Sequence, residues 1–171
     1  GQTQSAIQFL VRMDAALGFR HERIHEAARY ALDALLAAQF PNGGFPQIWT
    51  GPVTDQPVLQ ASYPDYDWRT EEKTKNYWDM YTLNDNVCGY VAGTLLDAYR
   101  IYGEERYADG LRRLGDFLLL AQMPDPQPAW AQQYNYAMEP IWARKFEPPA
   151  IASDESQEAI ETLLEIARVT N

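Results

Sequence analysis

Apolar side chains recur at helical spacing in the first part of the chain, in two stretches separated by a polar break. Ile7 and Val11 lie on one face of a predicted first helix, which ends near Gly18. A second predicted helix runs from about Glu22 to Gln39. Pro41 ends it, because proline lacks an amide hydrogen and its ring clashes with the preceding turn. The pattern therefore predicts a helical hairpin.

The hairpin pattern occurs more than once. The segment from Gly1 to Pro41 recurs from Asn84 to Pro124 in constant register, so that Asp14 matches Asp97. A third copy begins near Gln157 and lacks a second helix, which suggests that the chain is a fragment of a longer protein. Such hairpins stack because none buries its apolar face alone. The prediction is an all-α fold, an (α/α)3 toroid with first helices inside and second helices outside, truncated in its third hairpin.

Composition supports one globular domain over residues 1–171. Apolar residues make up 46% and charged residues 22%. The formal net charge of -10 argues against nucleic acid as a partner, since nucleic acid binding needs a positive face. No apolar run is long enough to predict a membrane span. Cys88 is the only cysteine, so an internal disulfide is excluded. We expect a monomer.

Two long segments, Pro41 to Tyr81 and Met123 to Asp154, connect the predicted hairpins. Loops of this length in a compact domain are usually functional, and both should gather at one mouth of the ring. Exposed loop aromatics suit sugar rings, although the same residues could simply pin the loops to the core. The loop aromatics are Trp49, Tyr63, Tyr66, Trp68, Tyr77, Trp78 and Tyr81.

The stretch HERIH, His21 to His25, matches the H-E-x-x-H pattern of zinc proteases. The internal repeat argues against a zinc site, because the matching stretch EERYA, Glu104 to Ala108, contains no histidine. A zinc site is therefore disfavoured.

Two polar motifs flank the predicted mouth. NGGFPQ, Asn42 to Gln47, is predicted to be a turn that leaves the outer helix, with Gln47 and Trp49 at the rim of a site. TLNDN, Thr82 to Asn86, precedes the second inner helix. Asn84 or Asp85 could be a helix N-cap, or Asp85 could bind a hard cation such as Ca²⁺ through oxygen. Three polar residues together favour the functional interpretation.

Arg144 and Lys145 are adjacent cations in a proline-stiffened, aromatic segment, WARKFEPPAI, of an acidic chain. A solvated surface pair is the usual role of such a dipeptide. Its position between two inner-helix starts favours a functional role instead.

Together these motifs resemble the pectate lyases of polysaccharide lyase family 10. Any one motif alone is weak, but five in the family's order cover nearly the whole chain. Two of these stretches depart from the family pattern: NGGFPQ has Phe45 where the family has Trp, and WAQQYN has lost a histidine and an acid. The matching stretches are LLAAQFPNGGFPQ (Leu35 to Gln47), TLNDN, WAQQYN (Trp130 to Asn135), ARKFEPPAI (Ala143 to Ile151) and ESQEAI (Glu155 to Ile160).

The resemblance implies a secreted or periplasmic enzyme that cleaves polygalacturonate by β-elimination with Ca²⁺. By motif position, Arg144 matches the catalytic arginine base, and Asp85 matches an acidic residue associated with calcium and substrate. We expect a neutral Arg144, its pKa lowered by Lys145 and Ca²⁺, and an alkaline optimum. The expected substrate-binding residues are Lys145, Asn84, Trp49, Gln47, Trp130, Gln133 and Lys75, with Lys73 as a further cation.

Two rival functions stay open. One is a degenerate lyase-like domain that binds acidic glycans without cleaving them, which the altered WAQQYN stretch would fit. The other is a different α/α-barrel enzyme, because QFPNGGF is similar to the Q-x-x-G-x-W repeats of terpene cyclases. The Asp-rich acid motif that those cyclases need does not occur in this sequence.

Overall fold

The computed structural model describes residues 2–51, 53–67, 69 and 73–170. Trp68, Gly1 and Asn171, which the sequence predictions mention, lie outside these ranges. The described part is mostly helical, with one small antiparallel sheet that pairs Tyr81 with Tyr134. None of its helices is both long and apolar enough to cross a membrane. The elements are α1 (Gln2–Ala16), α2 (Glu22–Ala37), β1 (Tyr81–Thr82), α3 (Val87–Tyr102), α4 (Glu105–Leu120), β2 (Gln133–Tyr134) and α5 (Ser153–Thr170).

The two predicted hairpins are confirmed as α1–α2 and α3–α4. Each first helix ends at a left-handed glycine, Gly18 with φ 61° and Gly103 with φ 69°. The second helices occupy matching positions of the repeat, but α2 ends slightly before the predicted Gln39. The Gln39 side chain lies beyond the helix, where it donates to the Gly43 carbonyl at 2.9 Å and to the Gly110 carbonyl at 3.0 Å. Gln39 therefore ties the first loop to α4.

Helix α3 is the centre of the packing. It packs against α1, α4 and α5, while α1 also packs against α2 and α4 against α5. The core includes Val11 of α1, Leu95 of α3 and Leu114 of α4, all without exposed surface. The turn that precedes α3 contacts α5. The start of α3 therefore lies close to the start of α5 and to the loop that precedes α5. This is the end of the hairpins where the long loops gather.

The predicted NGGFPQ turn is confirmed and packs on α4. Gly43 has φ 91°, and a Cβ there would lie 1.8 Å from the Arg113 carbonyl oxygen, so a side chain has no room. Asn42 Oδ1 accepts a hydrogen bond from the Gly44 amide at 3.0 Å. The turn then leads to Gln47, at the edge of the loop cluster.

Candidate functional site

The TLNDN stretch forms a 3₁₀ turn, Asn84–Asn86, directly before α3. Asp85 and Asn86 both have left-handed backbone, with φ 55° and 52°. Asn and Asp tolerate this conformation better than most residues. Asn84 is fully buried, while the Asp85 side chain is 50% exposed. The N-cap position of α3 belongs to Asn86, whose side chain makes no capping bond, so the N-cap interpretation of Asn84 and Asp85 is wrong.

Arg144 lies in a tight turn between two buried residues. The Ala143 amide donates to the Glu147 carbonyl at 3.2 Å, and the Glu147 amide donates to the Arg144 carbonyl at 2.9 Å. Pro148 and Pro149 follow at once, which prevents continuation as a helix. The expected non-helical segment is therefore observed, and its turn points Arg144 and Glu147 toward each other.

Glu147 binds Arg144 in three places. Its Oε2 accepts from the Arg144 backbone amide at 3.1 Å and from Nε at 2.7 Å. Its Oε1 accepts from Nη2. Glu147 is only 1% exposed, whereas the Arg144 side chain is 29% exposed. A bidentate guanidinium–carboxylate pair of this kind is directional and strong.

Asp85 contacts the same guanidinium from the solvent side. Arg144 Nη2 donates to Asp85 Oδ1 at 3.1 Å, and Gln47 Nε2 donates to Asp85 Oδ2 at 3.4 Å. The contacts join three segments that are far apart in sequence: the first long loop, the turn before α3 and the loop before α5. Arg144 therefore carries one buried and one exposed carboxylate partner.

A layer of buried amides supports the pair from behind. Asn84 Nδ2 donates to Gln133 Oε1 at 3.2 Å and to Glu147 Oε1 at 3.4 Å. Gln133 Nε2 in turn donates to the Tyr77 carbonyl. The buried Asn84 Oδ1 has no hydrogen-bond partner among the described residues.

The surroundings of Arg144 raise its pKa above the ordinary value. The hydrogen bond to Glu147 is the largest cause; burial acts in the opposite direction, and Asp85 adds to the increase. These protein groups therefore act against the predicted lowering of the Arg144 pKa. In this arrangement Arg144 is a cation at neutral pH.

Three residues that the sequence predicted to bind substrate are buried. Asn84 and Gln133 are interior residues that support Glu147. Trp130 is also buried, and its indole N–H donates to the Leu118 carbonyl at 2.7 Å. Because these three side chains lie in the interior, they do not reach a ligand at the surface.

Other predicted residues lie on accessible surface. Lys145 is exposed beside Arg144, and Trp49 is exposed in the first loop, two residues after Gln47. Lys75 is exposed and makes no ion pair with Asp85 within the part of the chain that the structure describes. Its loop is nonetheless tied to the Arg144 segment, because the Thr74 amide donates to the Trp142 carbonyl at 3.0 Å.

The histidine motif lies at the other end of the hairpins. His25 Nδ1 is 2.8 Å from Asp14 Oδ2, which also accepts from the Tyr102 hydroxyl at 2.7 Å. No group of three or more His, Cys, Asp or Glu side chains placed to hold a metal occurs within residues 2–51, 53–67, 69 and 73–170. His25 therefore belongs to an aromatic and carboxylate cluster.

Sequence reasoning missed Glu147 as a site residue. The available signal was a carboxylate three positions after the candidate arginine, just before two prolines. Phe146 was missed as well: its ring is largely exposed and its centroid is 5.1 Å from Arg144 Cζ, within cation–π range.

Comparisons with protein-family models, with curated proteins and with solved structures found no match to this chain.

Proposed function

We propose that this chain carries the site of a calcium-dependent pectate lyase that cleaves polygalacturonate by β-elimination, as the resemblance of its motifs implies. The observation that supports this most is the contact of Arg144 Nη2 with Asp85 Oδ1 at 3.1 Å. The two residues that the resemblance assigns to base and cation chemistry thus belong to one site. Exposed Lys145 adds positive charge for a polyanionic substrate.

In the proposed reaction, Arg144 accepts the C5 proton of a galacturonate residue. The electrons of the C5–H bond form the C4–C5 double bond, and the C4–O bond to the next sugar breaks. The leaving oxygen takes a proton from solvent. The C5 proton lies next to a carboxylate, so charge develops there, and fixed positive charges stabilise it.

Arg144 must be neutral to accept that proton, but two carboxylates raise its pKa. If Asp85 held a cation, Arg144 would lose its exposed partner and gain a positive neighbour, and both changes would lower the pKa of Arg144. Glu147 stays in contact and still favours the charged form. We therefore expect activity to rise toward alkaline pH.

Asp85 fits a shared calcium site better than a complete one. Its carboxylate is half exposed, whereas the neighbouring Gln47 side chain presents its donor Nε2 to Asp85 and no oxygen ligand. Calcium takes about six to eight oxygen ligands, so substrate carboxylates would supply most of the remainder. A bound calcium would offset the charge that develops on the substrate carboxylate.

An (α/α)3 toroid is the architecture that we propose for this domain. The observed packing of α3 against α1 and α5 agrees with first helices in an inner layer. Helices α2 and α4 would form the outer layer. The loops that carry Gln47, Asp85 and Arg144 would then meet at one mouth, where an extended polymer has access.

A non-catalytic domain that binds acidic glycans is the second candidate. The raised pKa of Arg144 favours it, because a permanently charged guanidinium binds carboxylates well and removes protons poorly. The same polymer would be bound, and Asp85 would release Arg144 to the ligand carboxylate. Because this polymer is extracellular, either function predicts a secreted or periplasmic protein.

The test is ultraviolet absorbance of the unsaturated product from polygalacturonate, with calcium and with a chelator. Calorimetry with oligogalacturonates runs in parallel. The lyase proposal expects product that is lost with the chelator and in Arg144→Ala. Binding without product selects the glycan-binding candidate. Neither product nor binding from a folded protein rejects both.

A further inference from the structure

Glu147 is a buried carboxylate that the proposed reaction does not use. It is 1% exposed, in a protein whose formal net charge is -10. Burial of a carboxylate is unfavourable unless it is paired and hydrogen-bonded. The groups that donate hydrogen bonds to Glu147 therefore indicate its role.

Most of those partners belong to one residue. The Arg144 backbone amide, Nε and Nη2 all donate to Glu147, so both ends of the arginine are held by the same carboxylate. A fork that grips Nε and Nη2 fixes the plane of the guanidinium as well as its position. The remaining guanidinium nitrogen, Nη1, makes no hydrogen bond with Glu147.

The carboxylate is itself oriented by the amide layer. Asn84 Nδ2 lies 3.4 Å from Glu147 Oε1 and 3.2 Å from Gln133 Oε1. Gln133 is anchored to the Tyr77 carbonyl. A chain of buried hydrogen bonds thus runs from the backbone of one loop to the guanidinium of another, and low local dielectric strengthens it.

We propose that Glu147 is a positioning residue, which holds the Arg144 guanidinium in one orientation with its Nη1 side available to a carboxylate ligand. The orientation of the Arg144 guanidinium is inferred from the contacts above. The effect of Glu147 on turnover rests on the proposed function. Asp85 is the exchangeable partner, because it is half exposed and makes a single contact with Arg144. Glu147 is the permanent partner.

The first test measures Arg144 directly and needs no ligand. Hydrogen exchange of the Arg144 Nε–H is followed by NMR in the wild type, in Glu147→Gln and in Glu105→Gln as the matched control. Glu105 also pairs with an arginine, Arg112, but on the exposed surface of α4. We expect at least about tenfold faster exchange in Glu147→Gln and no change in the control. Equal exchange in all three proteins overturns the proposal.

Glu147→Asp is the second variant and serves if Glu147→Gln does not fold. It keeps the charge but moves the carboxylate back by one methylene, about 1.5 Å. If Glu147 acts through its position, the displaced carboxylate of the aspartate cannot take its place. Fast exchange of the Arg144 Nε–H is therefore expected in this variant too. Wild-type exchange in a folded Glu147→Asp overturns the proposal.

The activity measurement separates this inference from the proposed function. If the wild type is a lyase, Glu147→Asp should lower kcat by about a hundredfold with a much smaller change in KM, since small misplacements are costly in the transition state. A change confined to KM overturns the positioning role. If the wild type shows no turnover, the proposed function fails and the exchange measurement alone decides the role of Glu147.

Discussion

Two clusters of charged side chains lie at opposite ends of α3 and use their carboxylates differently. Before α3, Arg144 is held by Glu147, which is 1% exposed. After α3, Glu104 accepts from both Arg29 and Arg106 and is 33% exposed. We call these the loop cluster and the turn cluster. The first fixes one guanidinium among long loops, and the second joins α2 to the start of α4.

The two clusters differ in the burial of their central carboxylates. In the turn cluster, Arg106 also binds Asp33 of α2, so the network bridges α2 of the first hairpin to the start of α4 in the second. Exposed ion pairs of this kind each contribute little, and water can replace either partner. In the loop cluster, water cannot replace Glu147. Removing one member there leaves a buried group without a partner.

The largest contrast is expected in ligand binding. Arg144→Ala should weaken oligogalacturonate binding by about tenfold to a hundredfold, because a charge-assisted hydrogen bond to a carboxylate is lost. Arg106→Ala should leave binding unchanged, because Arg106 lies in the turn cluster. Isothermal titration calorimetry measures both. Equal losses in the two variants would remove the functional distinction between the clusters.

The next contrast is in stability. Glu147→Ala should lower the free energy of unfolding by about 2–4 kcal/mol, since Arg144 and Asn84 lose a buried partner. Glu104→Ala should cost less than about 1 kcal/mol, because its pairs are solvent-screened. Urea unfolding followed by circular dichroism gives both values. A cost for Glu104→Ala as large as that for Glu147→Ala contradicts the comparison.

A smaller effect is expected for the uncharged side chains that hydrogen-bond within each cluster. Asn84→Ala removes the donor to Gln133 and Glu147 and should cost about 1–2 kcal/mol. Its counterpart in the turn cluster is Tyr107→Phe, which removes a hydroxyl that accepts from Arg106 at 2.8 Å. That loss should be nearer 0.5 kcal/mol. Thermal unfolding of the two variants checks the order, and the reverse order would contradict it.

The smallest effect concerns pH and the turn cluster. The hydrogen bond from Arg29 lowers the pKa of Glu104 below its ordinary 4.5. The stabilisation is therefore present above pH 4.5 and is lost as pH falls through the lower folded-state value. Glu104→Gln should flatten this acid dependence of Tm slightly, because both side chains of the pair are about a third exposed and solvent screens their interaction. A wild-type acid profile unchanged by Glu104→Gln shows that the pair contributes nothing.

Much of the helical framework was predictable. The apolar period, Gly18, Gly103 and the two prolines mark two hairpins, and α2 and α4 begin and end at matching positions of the repeat. These signals are local, so a single sequence carries them. The motifs also identified Arg144 and Asp85 as candidates, and the two are in contact.

The interior of the site was not predictable in the same way. Trp130 was expected to bind substrate, but its indole N–H donates to the Leu118 carbonyl in the core. Asn84 and Asp85 are neighbours, yet one is buried and the other half exposed. Loop residues follow no regular period, so burial cannot be read from their spacing.

The sequence alone therefore determined the hairpins, their breaks and the segments that carry the candidate residues, because helix period and proline or glycine breaks act over a few neighbouring positions. Only the tertiary structure decided which carboxylate holds Arg144. That choice depends on how the loop before α3 meets the loop before α5, and on the burial that makes Glu147 a fixed partner and Asp85 an exchangeable one.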